Sequence, residues 1–216
     1  TENRKALDSI PNVGQVYDYQ LDKDKCKWKP WIGKGGGSVE TGITQYTDIV
    51  IETIDTTRNR FLAQLLIECG KHVMINGSTG TGKSVATKKL LTDTLDQGRY
   101  MPVFVSFSAQ TSANQTQDII DGKLGKRRKG VYGPPPGILA VIFVDDLNMP
   151  AKEEYGAQPP IELLRTWMDH DGWYDKQDPA WPYRKNVDMQ FVVAQGPPGG
   201  GASAVSQRYA RHFHTI

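Results

Sequence analysis

Cysteine is scarce in this chain. There are two in 216 residues, Cys26 and Cys69, far apart and not part of a paired metal-binding motif. That argues against a disulfide framework and fits a reducing compartment. Long apolar runs are missing as well: no stretch approaches the ~18 residues that a membrane-spanning helix needs, so a membrane is not an expected partner. An excess of one charge is also lacking, because 26 Lys and Arg against 24 Asp and Glu leave a formal charge of +2. A balance so near neutral gives no whole-chain reason to expect nucleic acid or an anionic bilayer. The chain opens at Thr1 with no initiator Met and no signal-like apolar stretch, and reads as a piece of something longer. Apolar residues make up 38%, with 22 Gly and 13 Pro, which points to substantial loops. The length suits one large domain with a small appendage.

The first forty residues differ from the rest. Val16 to Leu21, a polar Asp22-Lys23-Asp24-Lys25 turn, and Cys26 to Trp31 read as strand, turn, strand, followed by a Gly-rich loop or hinge from Gly33 to Gly37. Residues 1–45 are therefore expected to be an appended β-hairpin and linker, and 46–216 the main domain. From Asp48 strands and helices alternate. A short strand Asp48–Thr53 precedes a helix capped by Asp55 or Thr56 and running to about Cys69, with Gly70 at its stop. Core strands are expected at 72–76, 102–107, 139–144 and 189–194, with a fifth beginning near Phe213. Helices are expected at 83–97, 114–124, 160–170 and 204–210. Such alternation implies a mostly parallel sheet covered on both faces, an α/β three-layer sandwich.

One motif carries most of the chemistry. Gly77-Ser78-Thr79-Gly80-Thr81-Gly82-Lys83-Ser84 matches G-x-x-x-x-G-K-[ST] in full, with an apolar strand entering and a helix leaving. Glycines let backbone N–H groups turn inward around phosphate oxygens where a Cβ would obstruct them. Lys83 is expected on the β- and γ-phosphates and Ser84 on a Mg²⁺ ion. The metal needs a carboxylate, which Val141-Ile142-Phe143-Val144-Asp145-Asp146 supplies at a strand end. Asp145 is expected to hold Mg²⁺, and Asp146 to orient or activate the attacking water. Helix capping or turn formation is the competing reading of Asp146.

Other positions leave alternatives open. Gln195 lies just past the fourth strand and is either a contact to the water or γ-phosphate or a turn residue before Gly196-Pro197-Pro198. Arg208 and Arg211 precede the fifth strand. Either an arginine there reaches a neighbouring module's nucleotide, or both are surface ion-pair residues. Lys126-Arg127-Arg128-Lys129 suits a solvated hairpin or a charged inter-module contact better than a polyanion site. His212 and His214 lack a third ligand and read as packing or surface residues. Trp167, Trp173, Tyr174 and Trp181 read as packing for a subdomain surface.

Together the phosphate loop, the strand-ending carboxylates and the arginines before a fifth strand resemble the large subdomain of an AAA+ ATPase. More narrowly, Val144-Asp145-Asp146-Leu147-Asn148-Met149-Pro150, the run Tyr155 to Arg165, Gly196 to Gly201, and Arg208 to Phe213 resemble the third AAA+ module of axonemal dynein heavy chains. The resemblance implies a P-loop NTPase sheet ordered 5-1-4-3-2 and an ATP- or ADP-binding module. That module hydrolyses slowly and gates the main ATPase cycle of a microtubule motor, or else serves as a non-hydrolysing structural site. It implies neighbouring AAA+ modules of the same heavy chain as partners, together with intermediate and light chains and, through other parts of the motor, the microtubule. The setting implied is the cytoskeleton of a ciliary or flagellar axoneme. Thr53 and Ile54 would line the adenine side, and Arg208 would act in the preceding module. Three departures stand out: Asp146 where Glu is usual, Gly196 where a polar sensor is usual, and an end at Ile216 before the helical lid.

Overall fold

A computed structural model describes residues 9–22, 25–31 and 53–216. The Gly33–Gly37 hinge, most of the Asp48–Thr53 strand and the boundary between 45 and 46 lie outside them. Two compact units divide at Phe61/Leu62, inside the first helix.

In the N-terminal unit, β1 (Tyr19–Asp22) and β2 (Lys27–Pro30) pair antiparallel, with Tyr19 opposite Pro30 and Asp22 opposite Lys27. A hairpin forms as expected, but its strands are shorter: Val16–Asp18 is a 3-10 turn, and Cys26 and Trp31 lie outside β2. The ring of Trp31 meets Phe61 edge-on at 5.3 Å, and its Nε1–H donates to the Tyr17 carbonyl at 2.8 Å. Helix α1 (Ile54–Glu68) begins with reciprocal bonds: the Thr53 N–H donates to Thr56 Oγ1 at 2.8 Å, and the Thr56 N–H to Thr53 Oγ1 at 3.2 Å. These satisfy donors that a helix start otherwise leaves open.

The larger unit is built on five parallel strands: β3 (Val73–Asn76), β4 (Tyr100–Ser106), β7 (Leu139–Asp145), β10 (Met189–Gln195) and β11 (His214–Thr215). Their order is β11-β3-β10-β7-β4, which is the expected 5-1-4-3-2. Burial on both faces explains the unbroken apolar runs, since alternate residues enter different cores. Ala140, Ile142, Val144, Phe191 and Val193 pack with Leu164 and Trp167 of α4 (Pro159–His170), Ile120 of α3 (Ala113–Asp121), and Tyr209 of α5 (Gln207–Ala210). Val141, Phe143, Val192 and Ala194 pack on the other side with Ala63 and Ile67 of α1 and with Leu90, Leu91 and Leu95. Three layers result, with α3, α4 and α5 on one face and α1 and α2 (Lys83–Lys89) on the other.

The helix expected to reach Gln97 changes character early. After α2 the turn widens to a π-helix over Leu90–Thr94, with the Leu95 N–H donating to the Leu90 carbonyl at 3.1 Å. The cause is local. The Gln97 amide donates to the carbonyls of Leu91, Thr92 and Leu95 at 2.7, 3.0 and 3.1 Å, and the Thr92 hydroxyl to that of Lys88 at 3.0 Å. Side chains thus take oxygens that the next α-helical turn would have used.

A second sheet was not expected. β5 (Gly125–Arg128) and β6 (Val131–Gly133) form the basic hairpin, β6 runs parallel to β9 (Tyr183–Asn186), and β8 (Gly172–Tyr174) pairs antiparallel with β9. Arg184 anchors it: the guanidinium lies 3.6 Å over the Tyr132 ring and donates to Asp121 of α3 at 3.1 Å, and both side chains are buried. Trp173 is buried with its Nε1–H on Asp121, and Trp167 is buried with its Nε1–H on the Asn186 carbonyl, whereas Tyr174 and Trp181 are exposed. Arg127 of the basic run bonds Asp188 at 2.5 Å and the Pro134 carbonyl at 2.9 Å, leaving Lys126, Arg128 and Lys129 exposed on the hairpin. Among the described residues no helix is long and apolar enough to cross a membrane.

Candidate functional site

β3 ends at Asn76, and the chain turns sharply through residues 77–82 into α2. The turn requires left-handed backbone at Gly80 (φ 83°) and Gly82 (φ 78°), a region that L side chains rarely enter. At Gly77 a Cβ would come within 3.2 Å of Thr81 Oγ1 and 3.3 Å of the Lys83 chain, so a side chain there would crowd the loop. The Gly77 N–H is tied to the Gln195 carbonyl at 3.2 Å, and the Thr81 hydroxyl donates to the Ser78 carbonyl at 2.8 Å. Lys83 folds back into the loop: Nζ donates to the carbonyls of Gly77 at 2.6 Å and Ser78 at 2.7 Å, with Thr81 Oγ1 at 3.4 Å. Gly82 supplies no capping side chain, which leaves the first N–H groups of α2 open to an acceptor.

Asp145 comes to the same place from the end of β7. It follows Val141 and Phe143 onto the face that α2 covers, and its Oδ1 accepts the Ser84 hydroxyl at 2.8 Å. A hydroxyl oxygen and a carboxylate oxygen that close make a hard-oxygen donor pair suited to Mg²⁺, which normally keeps water and phosphate in its remaining positions. The donor chemistry therefore fits that ion. Among the described residues there is no group of three or more His, Cys, Asp or Glu placed to hold a metal, and His212 and His214 form none. His212 lies instead 3.1 Å from Asp169.

Asp146 leaves the strand in left-handed conformation (φ 52°), its N–H donating to Asp145 Oδ1 at 3.1 Å. Asp tolerates that region better than most residues, and the turn keeps the carboxylate exposed. Ser106, which the sequence reading passed over, is the register partner of Asp145 on β4, and strand alternation sets it on the same face. Its signal was a hydroxyl ending the strand beside the acidic one. Asn148 was also missed as a site residue. It is buried, and its amide donates to the Gly196 carbonyl at 2.9 Å, fixing the loop after β10.

The Gln195 side chain is placed apart from Lys83, Ser84 and Asp145. It shares the face of Phe191 and Val193, where its Nε2 reaches Met74 Sδ at 3.4 Å. Strand parity decides this: position 196 would face α2, and there the residue is glycine. Arg208 is held loosely, 3.7 Å from Glu162 and 70% exposed, while Arg211 donates to Asp169 at 2.7 Å. Thr53 and Ile54 open α1 in the N-terminal unit, the Thr53 hydroxyl being engaged with Thr56.

A loop of this geometry facing a strand-ending carboxylate is the signature of nucleotide-binding P-loop proteins, and the sequence pattern described as "P-loop containing dynein motor region" matches residues 40–216. The chain belongs to that dynein motor family. Among known proteins it is 46% identical over 223 residues to dynein axonemal heavy chain 1 of Mus musculus, covering 96% of this chain and 5% of that protein. It is 48% identical over 203 residues to dynein axonemal heavy chain 12 of Rattus norvegicus, covering 93% of this chain and 6% of the relative. Dynein axonemal heavy chain 1 of Homo sapiens is 44% identical over 233 residues, covering all of this chain and 5% of itself. This dynein motor chain thus spans about a twentieth of the curated relatives it matches.

Proposed function

We propose that this chain is the nucleotide-binding part of the third AAA+ module of an axonemal dynein heavy chain. On this reading it binds ATP or ADP with Mg²⁺, hydrolyses ATP slowly, and its nucleotide state gates the motor's main ATPase cycle. The observation that carries the reading is the 2.8 Å bond from Ser84 to Asp145 directly beside the Lys83 loop. Ser84 and Asp145 would hold Mg²⁺, which when bound neutralises phosphate charge. The open N–H groups from 78 to 84 bind phosphate oxygens, and Lys83 exchanges loop carbonyls for the β- and γ-phosphates. Asp146 accepts a hydrogen bond from the attacking water. Its side chain is one methylene shorter than the usual Glu, which slows that step. Thr53 and Ile54 flank the base, and Arg208, the more loosely held arginine, reaches into the preceding module.

Residues 46–216 make up the large subdomain in this reading, with 1–45 appended to it. The partners are the neighbouring modules of the heavy chain, intermediate and light chains, and a microtubule engaged elsewhere in the motor, within a ciliary or flagellar axoneme. One observation favours a second reading, a structural nucleotide site without turnover. Gln195 faces away from the loop and Gly196 offers no side chain, so no polar group from β10 is supplied to the reacting water. Single-turnover hydrolysis in the intact motor, with the first module inactivated, decides between them. Turnover that disappears in Asp146→Asn supports the gating module; no turnover with Asp146 intact supports the structural one.

A further inference from the structure

Asp146 is placed by its backbone alone. Its carboxylate is exposed, and among the described residues no side chain bonds it. An Asp also has one side-chain torsion fewer than a Glu, so its oxygens go where the turn sends them. That turn runs Asp146-Leu147-Asn148-Met149 and is closed by the Met149 N–H on the Asp146 carbonyl at 3.0 Å. It is pinned to the end of β10 and the loop beyond. The Leu147 N–H donates to the Ala194 carbonyl at 3.0 Å, the Asn148 amide to the Gly196 carbonyl at 2.9 Å, and the Ser203 N–H to the Asn148 carbonyl at 3.0 Å. Asn148 takes part in the last two and is buried. Its amide makes the one bond of this set that a side chain supplies.

The strand end that Asn148 grips also serves the phosphate loop. Two successive carbonyls have different partners: that of Gln195 accepts the Gly77 N–H at 3.2 Å, and that of Gly196 accepts the Asn148 amide. With the Ser84–Asp145 bond at 2.8 Å, a closed circuit joins the phosphate loop, the end of β7 and the end of β10. We propose that Asn148 is the positioning residue for Asp146: its amide holds the acidic turn to β10, and so holds the Asp146 carboxylate at a set distance from phosphate bound in the 77–84 loop. It does so without touching nucleotide, because it lies with Met74, Gln195 and Ser203 around a cleft that Lys83, Ser84 and Asp145 do not line. No side chain of β10 assists with the water, so an error in that distance is not corrected elsewhere. The inference rests on the reading of Asp146 as the group that meets the attacking water.

The test is single-turnover ATP hydrolysis in the full-length heavy chain with the first module inactivated, with Mg-ATP affinity measured on the same preparations. Asn148→Ala removes the donor, and Asn148→Asp keeps the shape but offers an acceptor where a donor is needed. Misplacing a reacting group by about 1 Å can cost about a hundredfold in rate. Each variant should therefore slow the single turnover at least tenfold. Affinity should stay within threefold of the parent, since Lys83, Ser84 and the loop amides keep their places. Hydrogen exchange in the peptide spanning 146–150 should quicken in both variants as the turn loosens. Asn148→Ala, which buries no charge, carries the test should Asn148→Asp fail to fold. A loss of rate smaller than tenfold would overturn the proposal. So would an affinity loss as large as the rate loss, because a residue that merely supports the fold lowers both together. Failure of the underlying reading shows separately, as absence of turnover in the parent, and it removes the role of Asn148 along with that of Asp146.

Discussion

Lys83 directs its ammonium at oxygens of its own loop, so on the proposed reading nucleotide binding would exchange carbonyl partners for phosphate ones. A charge-assisted contact of this kind contributes about 1.5–3 kcal/mol. Lys83→Ala should therefore weaken ATP affinity at least tenfold by calorimetry. Unchanged affinity would mean that the lysine never leaves Gly77 and Ser78. Ser84 and Asp145 make a sharper case because they bond each other and would share one ion. Ser84→Ala and Asp145→Asn should each weaken Mg²⁺-dependent ATP binding, and the double variant should lose less than the sum. A coupling of about 1 kcal/mol or more is expected for two groups in one network. Strict additivity in that cycle would show that the two side chains serve different ligands. Asp145 and Gln195 also show how far single residues can be read ahead of the structure. Both end core strands with polar side chains, yet counting by twos back to Phe143 and to Val193 sends them to opposite faces. That parity was present in the sequence. Which face carries α2 was not, because it depends on how the helices return across the sheet.

Elements differ in legibility for a physical reason. β7 and β10 are buried on both faces and read directly as apolar runs, and the Ser112–Gln115 capping box fixes the start of α3. β5, β6, β8 and β9 are three or four residues long and mixed in polarity. Their hydrogen bonds come from partners as distant as β6 and β9, which no local pattern records. His72, the residue before β3, has a titration consequence of its own. Its ring packs among Trp167, Phe191 and Phe213, and Nδ1 accepts the Phe191 N–H at 3.0 Å. Burial, with smaller contributions from the charges of His212 and His214, lowers its pKa to about 4. The native state therefore keeps His72 neutral while the unfolded chain takes up a proton below about pH 6.5. The associated stability is complete above that pH and is lost as pH falls toward 4, to the extent of about 2–3 kcal/mol. Urea midpoints measured from pH 7 to 4.5 should show this decline, and His72→Asn should flatten it while lowering the midpoint at pH 7 through lost packing. An identical pH slope in both proteins would place the titration elsewhere.

At the scale of the larger unit, the sheet belongs to two cores at once. Val141 and Phe143 face α1 and the Leu90–Leu95 segment while Ala140, Ile142 and Val144 of the same strand face α3 and α4, so neither helical layer can detach without exposing one side of β3, β4, β7 and β10. Removing buried volume on either face should therefore destabilise one common transition rather than melt one layer alone. Leu91→Ala on the first face and Leu164→Ala on the second each empty a site at most 1% exposed and should each cost about 2–5 kcal/mol. In both variants the fluorescence of Trp167 and Trp173, which report the second face, should change together with far-UV circular dichroism, with urea slopes close to the parent's. Nucleotide extends the argument. Lys83 and Ser84 belong to the first face, but Asp145 ends a strand that both cores clamp, so a ligand held by this trio, as proposed, would stabilise the whole unit. Mg-ATP at about a hundredfold its Kd should raise the stability of both variants by about 2.7 kcal/mol each. A rise confined to Leu91→Ala, or two separated transitions in either protein, would mean that the phosphate loop is coupled to its own helical layer and not to the sheet.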